Sequence, residues 1–430
     1  MKVSIYTLGC KVNLYESEVI INEFKKKGYE IVPFESKSDI CIINTCTVTN
    51  ISDKKSRNII RQAVKNNPNA VIVVMGCYSQ IRSEDIKNID GVDIIIGNTN
   101  KSRVVLLVEE YLKNKKSINK IEDIMHTTFE PMELDSFETR TRAFVKVQDG
   151  CNNFCSYCII PYTRGNIRSK EKEDVVNEIK CLVKNNYKEV VLTGIHTGHY
   201  GKDRYDYDFS DLLSELCKID GLERIRISSI EITELDDKFI NTLRKNEKIV
   251  NHIHIPLQSG CDKTLKEMNR KYDTKYYKSK IDEIRKIRPG ISITTDLIVG
   301  FPNETMEDFF KTYEFLKEIN FSKIHVFPYS RRKGTPADLM DNQVDEKAKK
   351  ERVKKVLELS RTLEEKYMNE FLNKDVEVLI EKYEDGIITG HTGNYIQVKL
   401  KGDISDINKI VKIHIERLEY PFIIGSKLTK

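Results

Sequence analysis

Strand-length apolar runs alternate with segments of helical period along most of this chain. That alternation restricts it to a parallel α/β architecture. Lys2–Leu8 reads as a strand. Tyr15–Lys27 follows with helical spacing at Val19, Ile20, Ile21 and Phe24, and stops at Gly28. Asp39–Asn44 is a second strand and Asp53–Lys65 a helix closed by Asn67-Pro68. Ala70–Met75 is apolar throughout, as in a strand covered on both faces. Asp93–Ile96 and Ser102–Tyr111 repeat the unit. Residues 1–118 are therefore predicted to form a doubly wound parallel sheet, with a linker at 119–140.

Six more strands are predicted at Ala143–Val147, Glu189–Leu192, Arg224–Ser228, His252–Ile255, Ser292–Val299 and Lys323–Phe327. Helices at Asp174–Asn185, Phe209–Ile219, Lys275–Ile287 and Met306–Ile319 lie between them. This is the pattern of a partial (β/α)6 barrel over 141–340, with its active site at the carboxyl ends of the strands. A charged helix at Glu346–Tyr367, within a connecting segment 341–370, leads to residues 371–430. There Val376, Val378 and Ile380, then Ile396, Val398 and Leu400, alternate with polar residues, as in a small β-barrel. The 430 residues suit about three domains. With 39% hydrophobic and 32% charged residues, wholesale disorder is unexpected. No apolar run approaches the ~20 residues of a membrane span. Met1-Lys2-Val3 opens directly into a strand, so a reducing cytoplasm without disulfides is predicted.

Ten cysteines then need another account. Cys10, Cys46 and Cys77 each follow a predicted strand of the first sheet. In a parallel sheet these ends lie on one edge, where open α/β sheets bind ligands. Gly9 and Gly76 beside them would let backbone approach a bulky group. Three inert buried thiols are the alternative. Cys41 lies in the same strand as Cys46 but faces the other way, and reads as packing, as do Cys181, Cys217 and Cys261.

The loop after the first barrel strand carries Cys151, Cys155 and Cys158 as Cys-x3-Cys-x2-Cys. Three thiolates so close can hold three corners of one iron–sulfur cubane. A structural zinc wants four ligands, and the next cysteine, Cys181, is inside a helix. This loop resembles that of the radical S-adenosylmethionine (SAM) enzymes, in which the open iron is chelated by the amino and carboxylate groups of SAM. Tyr157, beside the last cysteine, also matches. The resemblance implies SAM contacts at Tyr157, Gly194, Glu231, Gln258 and Asp296. At Leu192-Thr193-Gly194 the usual Gly-Gly-Glu of such enzymes is absent. His252 and His254 share one strand face and read as packed barrel residues rather than metal ligands.

Gly390-His391-Thr392-Gly393-Asn394-Tyr395 resembles the TRAM module, an OB-like RNA-binding barrel. Asn394 and Tyr395 are its candidate RNA contacts; the Tyr395 ring fits either base stacking or strand packing. Residues 371–430 carry no net charge and the whole chain only +5, so RNA binding must rest on local features. Arg164 with Arg168 and Lys170, and Arg332 with Arg331 and Lys333, are the candidate basic clusters.

In this order the three parts resemble the methylthiotransferase family over essentially the whole chain. Gly9-Cys10-Lys11-Val12-Asn13, Asn44-Thr45-Cys46, Gly76-Cys77, Arg164-Gly165, Pro256-Leu257-Gln258-Ser259-Gly260 and Tyr329-Ser330 carry the likeness. The resemblance implies a [4Fe-4S] cluster on Cys151, Cys155 and Cys158 that binds SAM and yields a 5′-deoxyadenosyl radical. It implies a second [4Fe-4S] cluster on Cys10, Cys46 and Cys77 that delivers methylated sulfur to C2 of a modified adenosine at position 37, in the anticodon loop of tRNA. It also implies an electron donor such as flavodoxin or ferredoxin, and leaves the sulfur source open. Lys11-Val12 is most similar to the branch acting on N6-threonylcarbamoyladenosine. The isopentenyladenosine branch tends to carry Gly-Cys-Gln-Met-Asn, and the branch modifying a ribosomal-protein aspartate Gly-Cys-Pro-Lys-Asn. A non-catalytic iron–sulfur RNA-binding sensor is the alternative of another class, and it has no need of a SAM-cleaving loop.

Overall fold

The computed structural model describes residues 1–134, 136, 141–204 and 206–428. Residues 135 and 137–140 of the predicted linker, Tyr205 of the barrel segment and the last two residues of the terminal module lie outside the described residues. The first part runs β1 (Lys2–Thr7), α1 (Lys11–Lys26), β2 (Glu30–Ile31), β3 (Ile40–Thr45), α2 (Asn50–Asn66), β4 (Val71–Gly76), α3 (Cys77–Lys87), β5 (Ile94–Ile96), α4 (Val104–Asn114) and β6 (Ile118–Lys120). Its sheet has the order β2-β1-β3-β4-β5-β6 and every pairing is parallel. Tyr15 and Ile20 of α1 and Val108 of α4 are buried on one face. Ile60 of α2 and Tyr78 of α3 are buried on the other, which makes the sheet doubly wound.

Two helices differ from expectation at their starts. Helix α1 begins at Lys11, with Cys10 in the N-cap position and no side-chain cap, so no capping residue marked its start. Helix α2 begins at Asn50 because the Thr49 side chain accepts from the Ser52 N–H. Helix α3 was not foreseen.

The barrel continues through β7 (Arg142–Lys146), β8 (Gln148–Asp149), α5 (Ile160–Arg164), β9 (Arg168–Ser169), α6 (Lys172–Lys184), β10 (Glu189–Thr193), α7 (Phe209–Leu216), β11 (Arg224–Ile227), α8 (Asp237–Lys245), β12 (His252–His254), α9 (Asp262–Glu267), α10 (Thr274–Ile287), β13 (Ser292–Val299), α11 (Met306–Ile319) and β14 (Lys323–Pro328). The expected six strands form two parallel halves, β7-β10-β11 and β12-β13-β14, joined by a bridge between Ile225 and Ile249. The apolar core under α1 is continuous with that of the barrel, through Val145, Val175 and Leu192.

Helix α12 (Glu346–Asn369) packs Val356, Leu359 and Leu363 against the barrel core, and the Ser360 hydroxyl accepts from the Ile324 N–H of β14 at 3.0 Å. Its face is not wholly solvated: Lys349 and Arg352 are buried, and Arg352 pairs with Glu304. The last part is a closed barrel of β15 (Asp375–Glu384), β16 (Ile387–Thr392), β17 (Gln397–Lys401), β18 (Ile410–Glu419) and β19 (Phe422–Lys427), in the order β15-β16-β17-β19-β18. Val378, Ile388, Val398, Ile413 and Ile423 fill it. No helix among the described residues is long and apolar enough to cross a membrane.

Candidate active site

Strands β1, β3 and β4 are neighbours, so the loops carrying Cys10, Cys46 and Cys77 converge where the strand order reverses. The Asn13 side chain donates to Leu8 O at 2.7 Å and Thr45 O at 3.0 Å, tying two of those strand ends together. Gly9 and Gly76 have φ of +101° and +103°. A Cβ on Gly9 would lie 2.9 Å from the Cys46 Cβ, and one on Gly76 2.7 Å from Thr45 O. Only glycine lets the chain close on itself this tightly. Cys46 and Cys77 are buried, while Cys10 is exposed and lines a cavity. Desolvation, with repulsion from Cys77 and against the pull of Arg164, pushes the Cys10 thiol up; desolvation and repulsion from Cys77 and Cys10 push Cys46 up to about 11. Asn98 donates to the Cys77 sulfur at 3.5 Å.

Behind this triplet lies a buried ion network between the α/β part and the barrel. Glu16 of α1 meets Arg164 at 2.7 Å, Lys146 at 2.9 Å and Lys101. Asp149 meets Lys146 at 2.8 Å, Arg164 at 3.2 Å and Arg168 at 3.6 Å. Burial favours the neutral carboxyl, yet Arg164, Lys101 and Lys146 hold Glu16 well below its usual range. All six side chains are buried. Four cations against two carboxylates leave a positive excess beside Cys10 and Cys77, and both thiols interact with Arg164. An anionic sulfur-ligated group at Cys10, Cys46 and Cys77 would offset that excess.

These facts correct the expectation for four basic residues. Arg164 is fully buried, and Arg168 and Lys170 beside it are buried too, so none presents its charge to RNA. Lys170 pairs with Glu178 at 2.6 Å. Arg332 is also buried, donating to Asp53 at 2.9 Å and to the Thr47 hydroxyl at 2.7 Å; it ties the barrel exit to α2.

The second triplet sits on the loop between β8 and α5. Cys155 is buried, Cys151 and Cys158 partly so. Burial pushes Cys158 up to about 12. Two residues that sequence reasoning missed reach these sulfurs. Arg270 donates to Cys155 Sγ at 3.2 Å while it pairs with Glu231. His196 Nδ1 lies 3.7 Å from Cys151 Sγ, and its Nε2 lies 2.8 Å from Glu234. Against the pull of burial, these contacts push His196 up to about 10. Glu234 also takes the His199 ring at 2.9 Å.

Among the described residues, His196, His199 and Glu234 gather three ligand atoms within 4.8 Å; neither cysteine triplet does. A zinc with Zn–S near 2.3 Å would need sulfurs about 3.8 Å apart. The wider spread suits a multi-iron cluster, and the cationic donors Arg270 and His196 suit its negative charge.

Cys10 and all three cysteines of the second set line one cavity of about 860 Å³. Tyr157, Gly194, Glu231, Gln258 and Asp296 line it as well, and Cys46, Cys77, Arg164 and Arg332 do not. Gln258, at φ +65°, is stitched to β13 through the Asp296 O and Ile298 N atoms. Asp296 lies 3.3 Å from His254, whose other ring nitrogen meets Thr294 at 2.9 Å. The terminal module closes the cavity with Asn394 and Tyr395. Asn394 donates to Gly290 O at 2.9 Å. Tyr395 stacks on His391 at 4.8 Å, lies 5.0 Å from the buried His252, and stands under the guanidiniums of Arg226 and Arg142 at 4.8 and 5.2 Å. Its ring is thus a wall of the cavity rather than part of the module's core.

A family model described as the radical SAM superfamily matches residues 145–316, and one described as uncharacterized protein family UPF0004 matches residues 2–97. The threonylcarbamoyladenosine tRNA methylthiotransferase MtaB of Bacillus subtilis is 46% identical, over 99% of this chain and 96% of its own. The Aquifex aeolicus protein of the same name is 40% identical, over 96% of this chain and 100% of its own. A tRNA-2-methylthio-N(6)-dimethylallyladenosine synthase of Clostridium perfringens is 36% identical, over 98% and 96%. Among solved structures, the radical SAM methyltransferase TsrM of Kitasatospora setae shares the fold at a TM-score of 0.57 and 14% identity, over 78% of this chain and 76% of its own. With both thiol sets opening on one cavity and relatives matched from end to end, the chain belongs to the radical SAM tRNA methylthiotransferase family.

Proposed function

We propose that this enzyme methylthiolates C2 of N6-threonylcarbamoyladenosine at position 37 of tRNA, giving the 2-methylthio derivative. The observation that carries the reading is the shared cavity, onto which Cys10 from one triplet and Cys151, Cys155 and Cys158 from the other both open. Its cofactors are SAM and two [4Fe-4S] clusters. When bound, they supply the hydrogen abstraction from an unactivated aromatic carbon and the methylthio group, chemistry beyond any side chain. Cys151, Cys155 and Cys158 hold one cluster, with Arg270 and His196 donating toward its sulfur ligands. Cys10, Cys46 and Cys77 hold the other against the cationic network of Arg164 and Lys101. Tyr157, Gly194, Glu231, Gln258 and Asp296 form the SAM wall. Asn394 and Tyr395 present the terminal module to the anticodon loop. A flavodoxin- or ferredoxin-type donor in a reducing cytoplasm supplies the electrons.

Anaerobic reconstitution is expected to give about eight irons per chain; about four would refute the two-cluster assignment. Nucleoside mass spectrometry of tRNA from a deletion strain is expected to lose the methylthio group from threonylcarbamoyladenosine alone. Loss from the dimethylallyl nucleoside instead would move the enzyme to the other tRNA branch.

A further inference from the structure

Among the described residues, the cavity wall carries one lysine without an ion-pair partner. Among the described residues, three lysines and arginines line the cavity: Lys11, Arg270 and Lys323. Arg270 is paired with Glu231, and Lys323 with Glu364 at 2.8 Å. Among the described residues, no carboxylate lies within ion-pair distance of Lys11. The carboxylate that it feels, Asp296, is already beside His254 at 3.3 Å. Two arginines whose charge reaches Lys11 are likewise committed, Arg226 to Glu189 at 2.7 Å and Arg142 to Glu381 at 3.1 Å. A partly buried ammonium without a counter-ion is a cost unless a ligand provides one. Lys11 occupies the first position of α1, directly after Cys10, and faces the Tyr395 wall. Its place is therefore between one set of sulfurs and the aromatic wall of the cavity.

We propose that Lys11 is the specificity residue of this cavity: its ammonium takes the carboxylate of the threonyl group borne by the substrate base. The inference rests on the threonylcarbamoyladenosine reading above. That substituent ends in a free carboxylate, whereas a dimethylallyl group is an uncharged hydrocarbon. An unpaired cation rewards the first and leaves the second facing a desolvated charge, so one residue both attracts the right base and penalises the wrong one. Arg142 and Arg226 do not line the cavity and are paired with Glu381 and Glu189, so they do not compete for the anchor.

The test uses the reconstituted full chain and three synthetic anticodon stem–loops. One carries N6-threonylcarbamoyladenosine, one the corresponding threoninamide, and one N6-dimethylallyladenosine. Equilibrium binding and kcat/KM are measured for each. The wild type is expected to prefer the acid over the amide by about tenfold to a hundredfold. Lys11→Met should bring that ratio to within about twofold, by weakening binding of the acid loop alone, and Lys11→Arg should retain most of it. An undiminished ratio in Lys11→Met, or no acid preference in the wild type, overturns the assignment. Should Lys11→Met fail to fold, Lys11→Gln gives the same comparison, with a thermal melt to confirm its fold. The substrate reading fails separately, and the assignment with it, if the wild type methylthiolates the dimethylallyl loop and leaves the threonylcarbamoyl loop untouched.

Discussion

Cys151, Cys155 and Cys158 lie within eight residues of one loop, while Cys10, Cys46 and Cys77 come from three strand ends far apart in the chain. The local set gets its sulfurs from a short motif, and its electrostatic support from far away, through Arg270 and His196. The dispersed set gets its sulfurs from sheet topology, and its support from a buried network already present at the join between two parts of the molecule. A loop motif can thus be recognised in isolation. A topological site exists only once the parallel sheet is built and docked.

The strongest way to break this comparison is to remove one set at a time. Cys151→Ala, with Cys155→Ala and Cys158→Ala, should abolish reductive SAM cleavage. Cys10→Ala, with Cys46→Ala and Cys77→Ala, should leave some cleavage, measured as 5′-deoxyadenosine, but no methylthiolated tRNA. Product from the second variant would show that the dispersed set is not the sulfur-delivering one.

Next comes the network. Glu16→Gln leaves Arg164, Lys101 and Lys146 short of a buried partner and should cost about 3–5 kcal/mol, read as a fall in denaturation midpoint. Folding holds Glu16 below its ordinary value of 4.5. Its contribution is therefore complete above about pH 4.5 and fades as the pH falls through the folded value. The wild type should lose stability below about pH 4.5 more steeply than Glu16→Gln. Equal slopes would show that Glu16 is not ionised within the fold.

Smaller still is the distant support of the local set. Arg270→Gln should lower SAM-cleavage activity about tenfold to a hundredfold and shift the reduction potential of that cluster downward, because a cationic donor to Cys155 is lost. The iron content should hold, and an unchanged potential would reduce Arg270 to a partner of Glu231. Smallest is Cys41→Ala. This thiol is buried on the opposite side of β3 from the cluster edge and accepts from the Ser4 hydroxyl at 3.3 Å. The change should cost about 1 kcal/mol and leave the iron content unaltered.

Much of the fold was legible because its signals are local. The strand Ser292–Val299 and the helix Met306–Ile319 fall where their apolar periodicity places them. The start of α1 was not, since Cys10 stands where a capping side chain would be. The six cysteines stand out in the sequence by spacing and strand-end position. Their neighbours were not, because His196 and Arg270 reach sulfurs 45 and 115 residues away. Arg164 and Arg332 were read as RNA contacts because a sequence shows charge without showing depth. The structure spends both on buried ion pairs.

The sequence by itself determined the parallel α/β order, the small terminal barrel and the two sets of three thiols, since periodicity and cysteine spacing are written in neighbouring residues. Only the tertiary structure decided that both sets open on one cavity, that Tyr395 of the last part forms a wall of it, and that Lys11, among the described cations lining it, has no ion-pair partner. Those are properties of which distant side chains meet. In a folded chain, contact and burial decide whether a charge is neutralised within the protein or remains available for a substrate.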